Sequence, residues 1–407
     1  MDRRTLLKLL AAVSVTGCGT QPANDKAKLR VIVAGAGIVG ASIAYHLAKL
    51  GISVTVIDKE GPATHASRGT FAWINATWAK QPRHYHELSQ AAVESWKALQ
   101  GPLALPVRWG GSLEWFANEA RAERLAQQIA EQRAWGEPAQ MLSASAVHEL
   151  EPNLLFEPGM QAAFSPNDGA VDPLRATHAL LSAAQQLGAT VRFPVELTGA
   201  NLSDGRLASV ETTSGTITAD RLVLATGAAP ELPLYIAGVD IPQRSTPGFI
   251  ALTKPMPRLI NRIIVAPGVH MHQRDDGRVV LGEQEGAPDT EAHALRLRGR
   301  PNRFPLEAIA REHGERTLAV AKRFVPAMRS ADIESAYIGW RPLPIDGHPV
   351  LGASPHKKDV YLAIMHSGVT LAPLVGQLVA QELALETAIE GLESYRPSRT
   401  FDRVQRY

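Results

Sequence analysis

Three glycines and one aspartate near the N-terminus have the spacing of a nucleotide-binding turn. The run Gly35-Ala36-Gly37-Ile38-Val39-Gly40 directly follows a β-rich apolar stretch at 29–34, and Asp58 comes eighteen residues after the last glycine. In this motif the first glycine permits a tight turn, the second lets the backbone approach a pyrophosphate, and the third lets the next helix pack on the strand. The Asp58 carboxylate would accept hydrogen bonds from a ribose hydroxyl pair. The motif predicts a bound dinucleotide, either FAD or NAD, against the alternative of a Gly-rich turn without a ligand.

A second strand-to-helix turn lies near the C-terminus. The segment Met365-His366-Ser367-Gly368-Val369-Thr370 follows the apolar run 360–364, and a helix is predicted from about 371 to 385. The N-terminus of this helix would stabilise the negative charge that a reduced flavin carries near N1 and O2. Enzymes that use only NAD do not need this element, so the second turn favours FAD as the cofactor.

The elements predicted between these two turns alternate between helices and strands. Apolar residues at 39, 43 and 47 form one face of a helix after the first turn. A further helix is predicted to start in the stretch Asp168-Gly169-Ala170-Val171-Asp172-Pro173, with Pro173 in its first turn. Hairpin turns are predicted at Asp204-Gly205 and Ser214-Gly215. This pattern predicts an α/β fold.

Composition excludes several classes of protein. The chain has 407 residues, of which 45% are apolar and 20% charged, which is enough apolar material for a sizeable core. Its 42 basic and 40 acidic residues nearly cancel, so no charge field indicates a nucleic acid as partner. The one cysteine, Cys18, excludes an intramolecular disulfide framework and any zinc site built on cysteines.

The first 28 residues have the pattern of an export signal followed by a tether. Arg3 and Arg4 precede a short apolar run, and Val15-Thr16-Gly17-Cys18 resembles a bacterial lipobox, whose cysteine is lipidated after cleavage. The paired arginines resemble a twin-arginine signal. We therefore expect a lipoprotein held through Cys18 on the periplasmic side of a bacterial membrane. The alternative is a basic N-terminus with a coincidental cysteine on a cytoplasmic protein.

Five motifs in order resemble the D-amino-acid oxidase family of FAD-dependent amine oxidoreductases, and most of all its glycine oxidases and D-amino-acid dehydrogenases. The resemblance covers about 29–385. Its motifs are the glycine turn, the Asp168–Pro173 stretch, Ala225-Thr226-Gly227-Ala228, the run from Arg341-Pro342 through Asp346-Gly347 to Gly352, and the final glycine before a helix, Gly368.

The resemblance implies a Rossmann-like FAD-binding domain with an interleaved substrate domain built on an antiparallel sheet. The FAD-binding domain would comprise residues 29–82, 144–235 and 336–395. The substrate-binding domain would comprise 83–143 and 236–335, where prolines are frequent and no nucleotide motif occurs.

The resemblance also assigns residues to FAD, motif by motif. Asp58, with Lys59 beside it, would hold the adenosine ribose, although the family usually has the longer Glu there. The other residues assigned to FAD are those of the glycine turn, Thr64, Arg68, Gly69 and Thr70 of the next loop, the backbone of Val195, Thr226 and Gly227, and Ser367, Gly368, Val369 and Thr370 under the flavin pyrimidine. His65, in the same loop, would be the attachment point if the flavin were covalently bound. The alternative is a solvated loop histidine.

Three residues are implied in catalysis. Arg341 matches the arginine that grips the substrate carboxylate, and its forked donors suit a bidentate contact; the alternative is a surface ion pair. His270 would line the substrate pocket, or else be a structural polar residue, and His366 lies beside the flavin. His270 and His272 share one strand face, but no third ligand has a matching spacing, so no metal site is predicted.

The implied reaction oxidises the C–N bond of a small amino acid or amine that carries a carboxylate: a D-amino acid, glycine or an N-methyl amino acid. A hydride would pass to flavin N5, and no side-chain base is essential. The stretch 278–282 lacks the lysine that some oxidases of the family use for oxygen, which favours a dehydrogenase that passes electrons to a quinone or a periplasmic carrier. The alternatives are an NAD-dependent dehydrogenase and a non-catalytic nucleotide- or amino-acid-binding lipoprotein.

Overall fold

The strand predicted ahead of the glycine turn lies inside a six-stranded sheet. The architecture was obtained as a computed structural model, in which residues 29–76, 80–283 and 301–403 are described. The predicted signal and tether at 1–28 lie outside the described residues. In chain order the strands are β1 (Arg30–Ala34), β2 (Ser53–Ile57), β3 (Trp73–Ile74), β4 (Val107–Trp109), β5 (Ser112–Glu114), β6 (Gln140–Ser143), β7 (Gln161–Ser165), β8 (Gly169–Val171), β9 (Thr190–Arg192), β10 (Leu197–Ser203), β11 (Arg206–Thr212), β12 (Gly215–Thr218), β13 (Arg221–Leu224), β14 (Gln243–Thr253), β15 (Ile263–Ala266), β16 (Val269–Gln273), β17 (Val279–Gly282), β18 (Ile333–Pro344), β19 (Val350–Ala353) and β20 (Val360–Ile364).

Helices form at the predicted helical segments and also at several other places in the chain. In chain order they are α1 (Ile38–Lys49), α2 (Arg83–Gln100), α3 (Glu119–Ala134), α4 (Ala144–Leu150), α5 (Pro173–Gln186), α6 (Glu231–Ala237), α7 (Glu307–Phe324) and α8 (Gly368–Leu385), with short 3₁₀ turns at Pro326–Met328 and Glu393–Tyr395.

The six-stranded sheet has the order β19-β20-β13-β1-β2-β9 and is parallel except for β19. Successive residues of its strands face opposite sides, and both sides are apolar because both are covered. On one side, Val31 and Val33 pack with α1, α2, α5 and α8. On the other, Ile32 and Ala34 pack with the antiparallel sheet β10-β11-β12. The α/β class and the mainly parallel sheet expected of a Rossmann-like domain are confirmed.

Helix α8 is the most apolar of these helices. Among the described residues it alone is long and apolar enough to cross a membrane by length and composition. Of the residues in this helix, 72% are buried, and the helix packs on α1 and α2. A Cβ added to Gly376 would lie 2.2 Å from the Ser42 hydroxyl oxygen, so the two helices approach closely at this point. The helix is therefore part of the core of the nucleotide-binding unit.

The second large unit is an eight-stranded sheet of order β18-β14-β17-β16-β15-β5-β7-β6. Its pairs are antiparallel apart from β15 with β5. Helix α7 covers one face, where Leu318 and Ala321 pack against Phe249, Met271 and Leu281. An antiparallel sheet, as expected of the substrate domain, thus carries β16 with His270 and β18 with Arg341.

The structure after Asp168 differs from the predicted one because this segment forms a small sheet, β3-β8-β4. The stretch expected to start a helix first forms strand β8, and the helix α5 begins only at Pro173. Asp172 is its N-cap and accepts hydrogen bonds from the Leu174 and Arg175 amides, both at 3.1 Å. The expectation that Pro173 lies in the first turn is confirmed.

The predicted domain boundaries stay a prediction, and two elements bear on them. Strand β7 pairs with β5 and β6 in the eight-stranded sheet, although the predicted boundaries give 144–235 to the FAD-binding domain. Helix α2 packs on α8 and shares the apolar core of the nucleotide-binding unit, although 83–143 was predicted to belong to the substrate domain. The chain therefore crosses between the two units more often than the sequence motifs mark.

Candidate active site

The glycine turn is formed by close backbone packing. A Cβ on Gly35, whose φ is +108°, would lie 2.4 Å from the Ala225 carbonyl oxygen, and one on Gly40 would lie 1.9 Å from that of Gly35. A Cβ on Gly37 would lie 3.1 Å from the Ser67 hydroxyl oxygen. The first and third glycines therefore serve packing between strand and helix, and the second keeps a side chain away from the start of α1, where the Ser67 hydroxyl lies.

The carboxylate of Asp58 is occupied mainly by backbone amides. Its Oδ2 accepts from Ala36 at 2.8 Å, and its Oδ1 accepts from Glu60 and Gly61, both at 2.9 Å. Asp58 thus stabilises the glycine turn and the residues after β2 through these three hydrogen bonds. Contact with a ribose, assigned to Asp58 by resemblance, stays a prediction, as it does for the exposed Lys59.

The loop at 64–70 closes over the start of α1. The Ser67 hydroxyl accepts from the Ile38 amide at 3.0 Å, and Thr64 donates to the Gly61 carbonyl at 3.1 Å. Thr70 accepts from the Ala72 amide at 3.1 Å. Arg68 donates to the Asn302 carbonyl at 3.3 Å and lies 5.2 Å from the Tyr337 ring centre.

Gly69 joins this loop to the eight-stranded sheet. A Cβ on Gly69 would lie 2.4 Å from the Gly339 nitrogen, and a Cβ on Gly339 would lie 2.3 Å from the Gly69 carbonyl oxygen. No side chain fits on either side of this contact. Arg341 lies two residues beyond Gly339 in β18, so the loop expected to hold FAD directly positions the strand expected to hold the substrate.

The expected FAD fits the residues present at the ends of β13 and β2. The Thr226 hydroxyl oxygen is buried and makes no hydrogen bond within the described part of the chain, so it needs a polar partner. Gly227 has a φ of +60°, which keeps the backbone free of a side chain there. The Val195 amide donates to the Asp58 carbonyl at 2.7 Å, so Val195 lies beside the predicted ribose residue.

The start of α8 meets the start of α1. A Cβ on Gly368 would lie 3.2 Å from Val39 Cγ2. Thr370 accepts from the Asn75 amide at 3.1 Å and donates to the Trp73 carbonyl at 3.2 Å. The Trp96 indole donates to the carbonyls of Val369 and Thr370, at 3.0 and 3.1 Å. Both predicted turns, and the loop between them, are therefore brought together.

Arg341 and His270 are the two polar residues assigned to the substrate. Burial and then the positive charge of Arg341 lower the pKa of His270 to about 3. Phe71 contacts His270 and His272 edge-on, with ring centres 5.4 and 4.9 Å apart, and His272 Nε2 lies 3.0 Å from the Phe71 carbonyl oxygen. A neutral imidazole of such low pKa is a poor proton acceptor, so His270 fits the lining role assigned to it and not that of a base.

Asp168 is a buried residue to which sequence reasoning gave no site role. Its carboxyl group accepts from Ser112 Oγ at 2.7 Å, from Trp73 Nε1 at 3.0 Å and from the Ala76 amide at 3.3 Å. Burial raises its pKa to about 7, against these three donors. Asp168, the first residue of the Asp168–Pro173 motif, is thus a buried anchor for the segment 73–76. The same segment also contacts Thr370.

His65 and His366 have different surroundings. His65 Nε2 lies 2.9 Å from Glu60 Oε1, and burial lowers the pKa of His65. A covalent link from His65 stays a prediction. His366 is exposed, next to Ser367 at the start of α8, and its catalytic role stays a prediction.

Comparison with known proteins agrees with this geometry. The family model described as FAD dependent oxidoreductase, DAO, matches residues 30–382. The glycine oxidase of Geobacillus kaustophilus (strain HTA426) is 28% identical over 388 residues, which cover 92% of this chain and 98% of that protein. One of the opine oxidase subunits of Agrobacterium tumefaciens (strain Ach5) is 26% identical and covers 86% of this chain and 92% of its own length.

Solved structures share the fold over nearly the whole chain. Glycine oxidase from Geobacillus kaustophilus has a TM-score of 0.81 at 24% identity, with 92% of this chain and 100% of that chain covered. L-proline dehydrogenase from P. horikoshii has a TM-score of 0.78 at 24% identity, with 91% and 97% covered.

The family model covers most of the chain, and the glycine turn, the Thr226 hydroxyl and the start of α8 fit the same cofactor. The choice between FAD and NAD is thereby decided. The chain belongs to the FAD dependent oxidoreductase family, DAO, and its cofactor is FAD.

Proposed function

We propose that this FAD-dependent enzyme oxidises the C–N bond of a small amino acid or amine that carries a carboxylate, such as glycine, a D-amino acid or an N-methyl amino acid. The observation that carries the proposal is the backbone contact between Gly69 and Gly339. It sets Arg341, a bidentate carboxylate ligand by its chemistry, two residues from the loop assigned to FAD. The glycine oxidases and the opine oxidase among the relatives support this class of substrate.

The chain's own residues hold the substrate, and His270 places no charge beside its amine. Arg341 binds the carboxylate, which orients the Cα–H bond. His270 stays neutral near neutral pH because its pKa is about 3, so it neither protonates the amine nor repels it. Bound FAD supplies the acceptor for the two electrons and the hydrogen of that bond. Loss of this hydrogen and of one N–H proton gives an imine, which water hydrolyses to a keto acid or aldehyde and ammonia or a smaller amine.

We further propose that the enzyme is a dehydrogenase whose electrons go to a membrane quinone or a periplasmic carrier. The stretch 278–282, which starts at Arg278 and continues as β17, contains no lysine. A lipid anchor at Cys18 would keep the enzyme near such an acceptor. A comparison of hydrogen peroxide formation in air with reduction of a soluble quinone tests this assignment, and faster reaction with oxygen would contradict it.

Anaerobic reduction by a substrate panel tests the main proposal. The purified holoenzyme is mixed with glycine, sarcosine, D-alanine and larger D-amino acids without oxygen, and the visible flavin spectrum is followed. Bleaching by at least one of these amines, with equimolar keto acid or aldehyde, is the expected result. A spectrum that stays oxidised while the amino acids bind would favour the non-catalytic binding protein instead.

A further inference from the structure

Ser367 is an N-cap serine that does not cap its helix. Serine is among the preferred N-cap residues because its hydroxyl oxygen usually accepts from an amide in the first turn. At the start of α8, the Ser367 side chain makes no such bond. Instead its oxygen accepts from Lys80 Nζ at 3.1 Å and from the Tyr85 hydroxyl at 2.8 Å. A hydroxyl oxygen has two lone pairs, so its own proton is directed away from these two donors.

Lys80 is buried at this helix terminus. The residue is 7% exposed, and its Nζ lies 5.1 Å from the Tyr85 ring centre, in a cation–π contact. Tyr85 is 1% exposed and packs in the core next to α8. A lysine is almost never so buried unless it is paired, because its ammonium group loses hydration. The Ser367 hydroxyl and the Tyr85 ring are two of the groups that Lys80 contacts here.

The charge of Lys80 adds to the field of the helix. A helix N-terminus carries partial positive charge and ordinarily attracts anionic groups, so a cation placed there is unfavourable by itself. An electron-rich ligand at the same terminus would be attracted both by the helix and by Lys80. Bound FAD is such a ligand if the pyrimidine end of its flavin lies at α8, as assigned above.

We propose that Lys80 is a positioning residue that, through Ser367 and its own positive charge, makes the flavin of the bound FAD easier to reduce. This inference rests on the assignment of the flavin to the start of α8 and not on the substrate named in the proposed function. Tyr85 holds Lys80 and Ser367 in register.

Three substitutions at Lys80 separate charge from packing. Lys80→Met removes the charge and the hydrogen bond, Lys80→Gln removes the charge but keeps a donor for Ser367, and Lys80→Arg keeps the charge. Lys97→Met is the matched control, because Lys97 also lies over an aromatic ring, at 5.7 Å from the Trp109 centre, but is on the exposed side of α2. The oxidised-to-reduced equilibrium of the bound flavin is measured in each holoenzyme against a dye of known potential.

We expect Lys80→Met and Lys80→Gln to shift this equilibrium roughly tenfold towards the oxidised form, or about 30 mV for a two-electron couple. Lys80→Arg and Lys97→Met should stay within about threefold of the wild type. An unchanged potential in Lys80→Gln, or an equal fall in Lys80→Arg, would overturn the inference. If Lys80→Met loses FAD, the Gln and Arg variants still decide.

Failure of the proposed function gives a different result. If no amine reduces the wild-type flavin but the potentials differ as expected, the substrate assignment is wrong and Lys80 still acts on the flavin. If amines reduce the wild type and all the potentials agree, the function stands and the inference on Lys80 falls.

Discussion

Among single side chains, Arg341 has the most direct effect expected on substrate binding. Replacing it by Ala removes both donors of a charge-assisted bidentate contact, while Lys restores the charge without the fork. We expect the half-saturation constant for anaerobic flavin reduction to rise about 10- to 100-fold in Arg341→Ala and less in Arg341→Lys. Arg278→Ala is the control, since Arg278 directly precedes β17 of the same sheet but pairs with Glu334. An unchanged constant in Arg341→Ala would remove the carboxylate assignment.

A second prediction at this scale concerns the pH dependence of stability. The pKa of Asp168 is raised by burial from 3.8 to about 7, so the folded protein holds this proton more tightly than the unfolded chain does. Its contribution to stability is complete below the unfolded pKa and is lost as the pH rises through 7, by up to about 1.4 kcal/mol per pH unit.

Asp168→Asn should therefore flatten the fall in Tm between about pH 5 and pH 8 relative to the wild type. Tm is measured for both proteins across this range, with the exposed Asp276→Asn as control. Parallel curves for wild type and Asp168→Asn would show that Asp168 ionises at its ordinary pKa.

Local motifs predicted the glycine turn, but several site residues could not be found in this way. Gly35, Gly37 and Gly40 act within one turn, so their spacing is visible in the sequence. Lys80 bonds to Ser367 from 287 positions away, and Trp73 to Asp168 from 95. Ser67, which accepts from the Ile38 amide, belongs to no motif that the sequence shows. Such contacts depend on how strands and helices are stacked, and no spacing rule encodes that.

At the scale of elements, the crossing of α1 and α8 is sensitive to volume. A Cβ on Gly376 would lie 2.7 Å from the Ser42 backbone as well as close to its hydroxyl, so the helices must separate. We expect Gly376→Ala to cost roughly 1–3 kcal/mol of unfolding free energy and to speed the loss of FAD, because both helices start at the cofactor site.

Denaturant unfolding and FAD release by dilution measure these two effects. Gly101→Ala is the control, because Gly101 has a φ of −65° and nothing lies within 4 Å of its added Cβ. Equal stability of Gly376→Ala and Gly101→Ala would mean that the helices tolerate a wider spacing.

Element boundaries followed from the sequence where periodicity and caps agree. The apolar run 360–364 forms a strand as predicted, and it begins directly after the polar Asp359. The stretch 168–173 was misassigned because Gly169 to Val171 pair with β3 and β4, and this pairing overrides the local helix-start signal. Likewise, α2 belongs with α8 because of its buried face of Tyr85, Leu88 and Trp96.

At the scale of the whole molecule, the export signal predicted at the N-terminus is the basis for the proposed location. The twin-arginine route exports folded proteins, so FAD would be bound before export. We expect Arg3→Lys with Arg4→Lys to leave the holoenzyme in the cytoplasm, and Cys18→Ala to release it from the membrane fraction. Fractionation with flavin fluorescence measures both, with Lys8→Arg as control. A wild-type protein found only in the cytoplasm would contradict the export proposal.

We expect the contact between Gly69 and Gly339 to link the binding of FAD thermodynamically to the binding of the substrate. The loop assigned to FAD and the strand that carries Arg341 are in direct backbone contact, so we expect FAD and a carboxylate at Arg341 to favour the same arrangement of the backbone. The coupling must be reciprocal: the factor by which FAD raises the affinity for a carboxylate is the factor by which the carboxylate raises the affinity for FAD. An unreactive carboxylate inhibitor would therefore tighten the retention of FAD, and the apoenzyme would bind such inhibitors weakly.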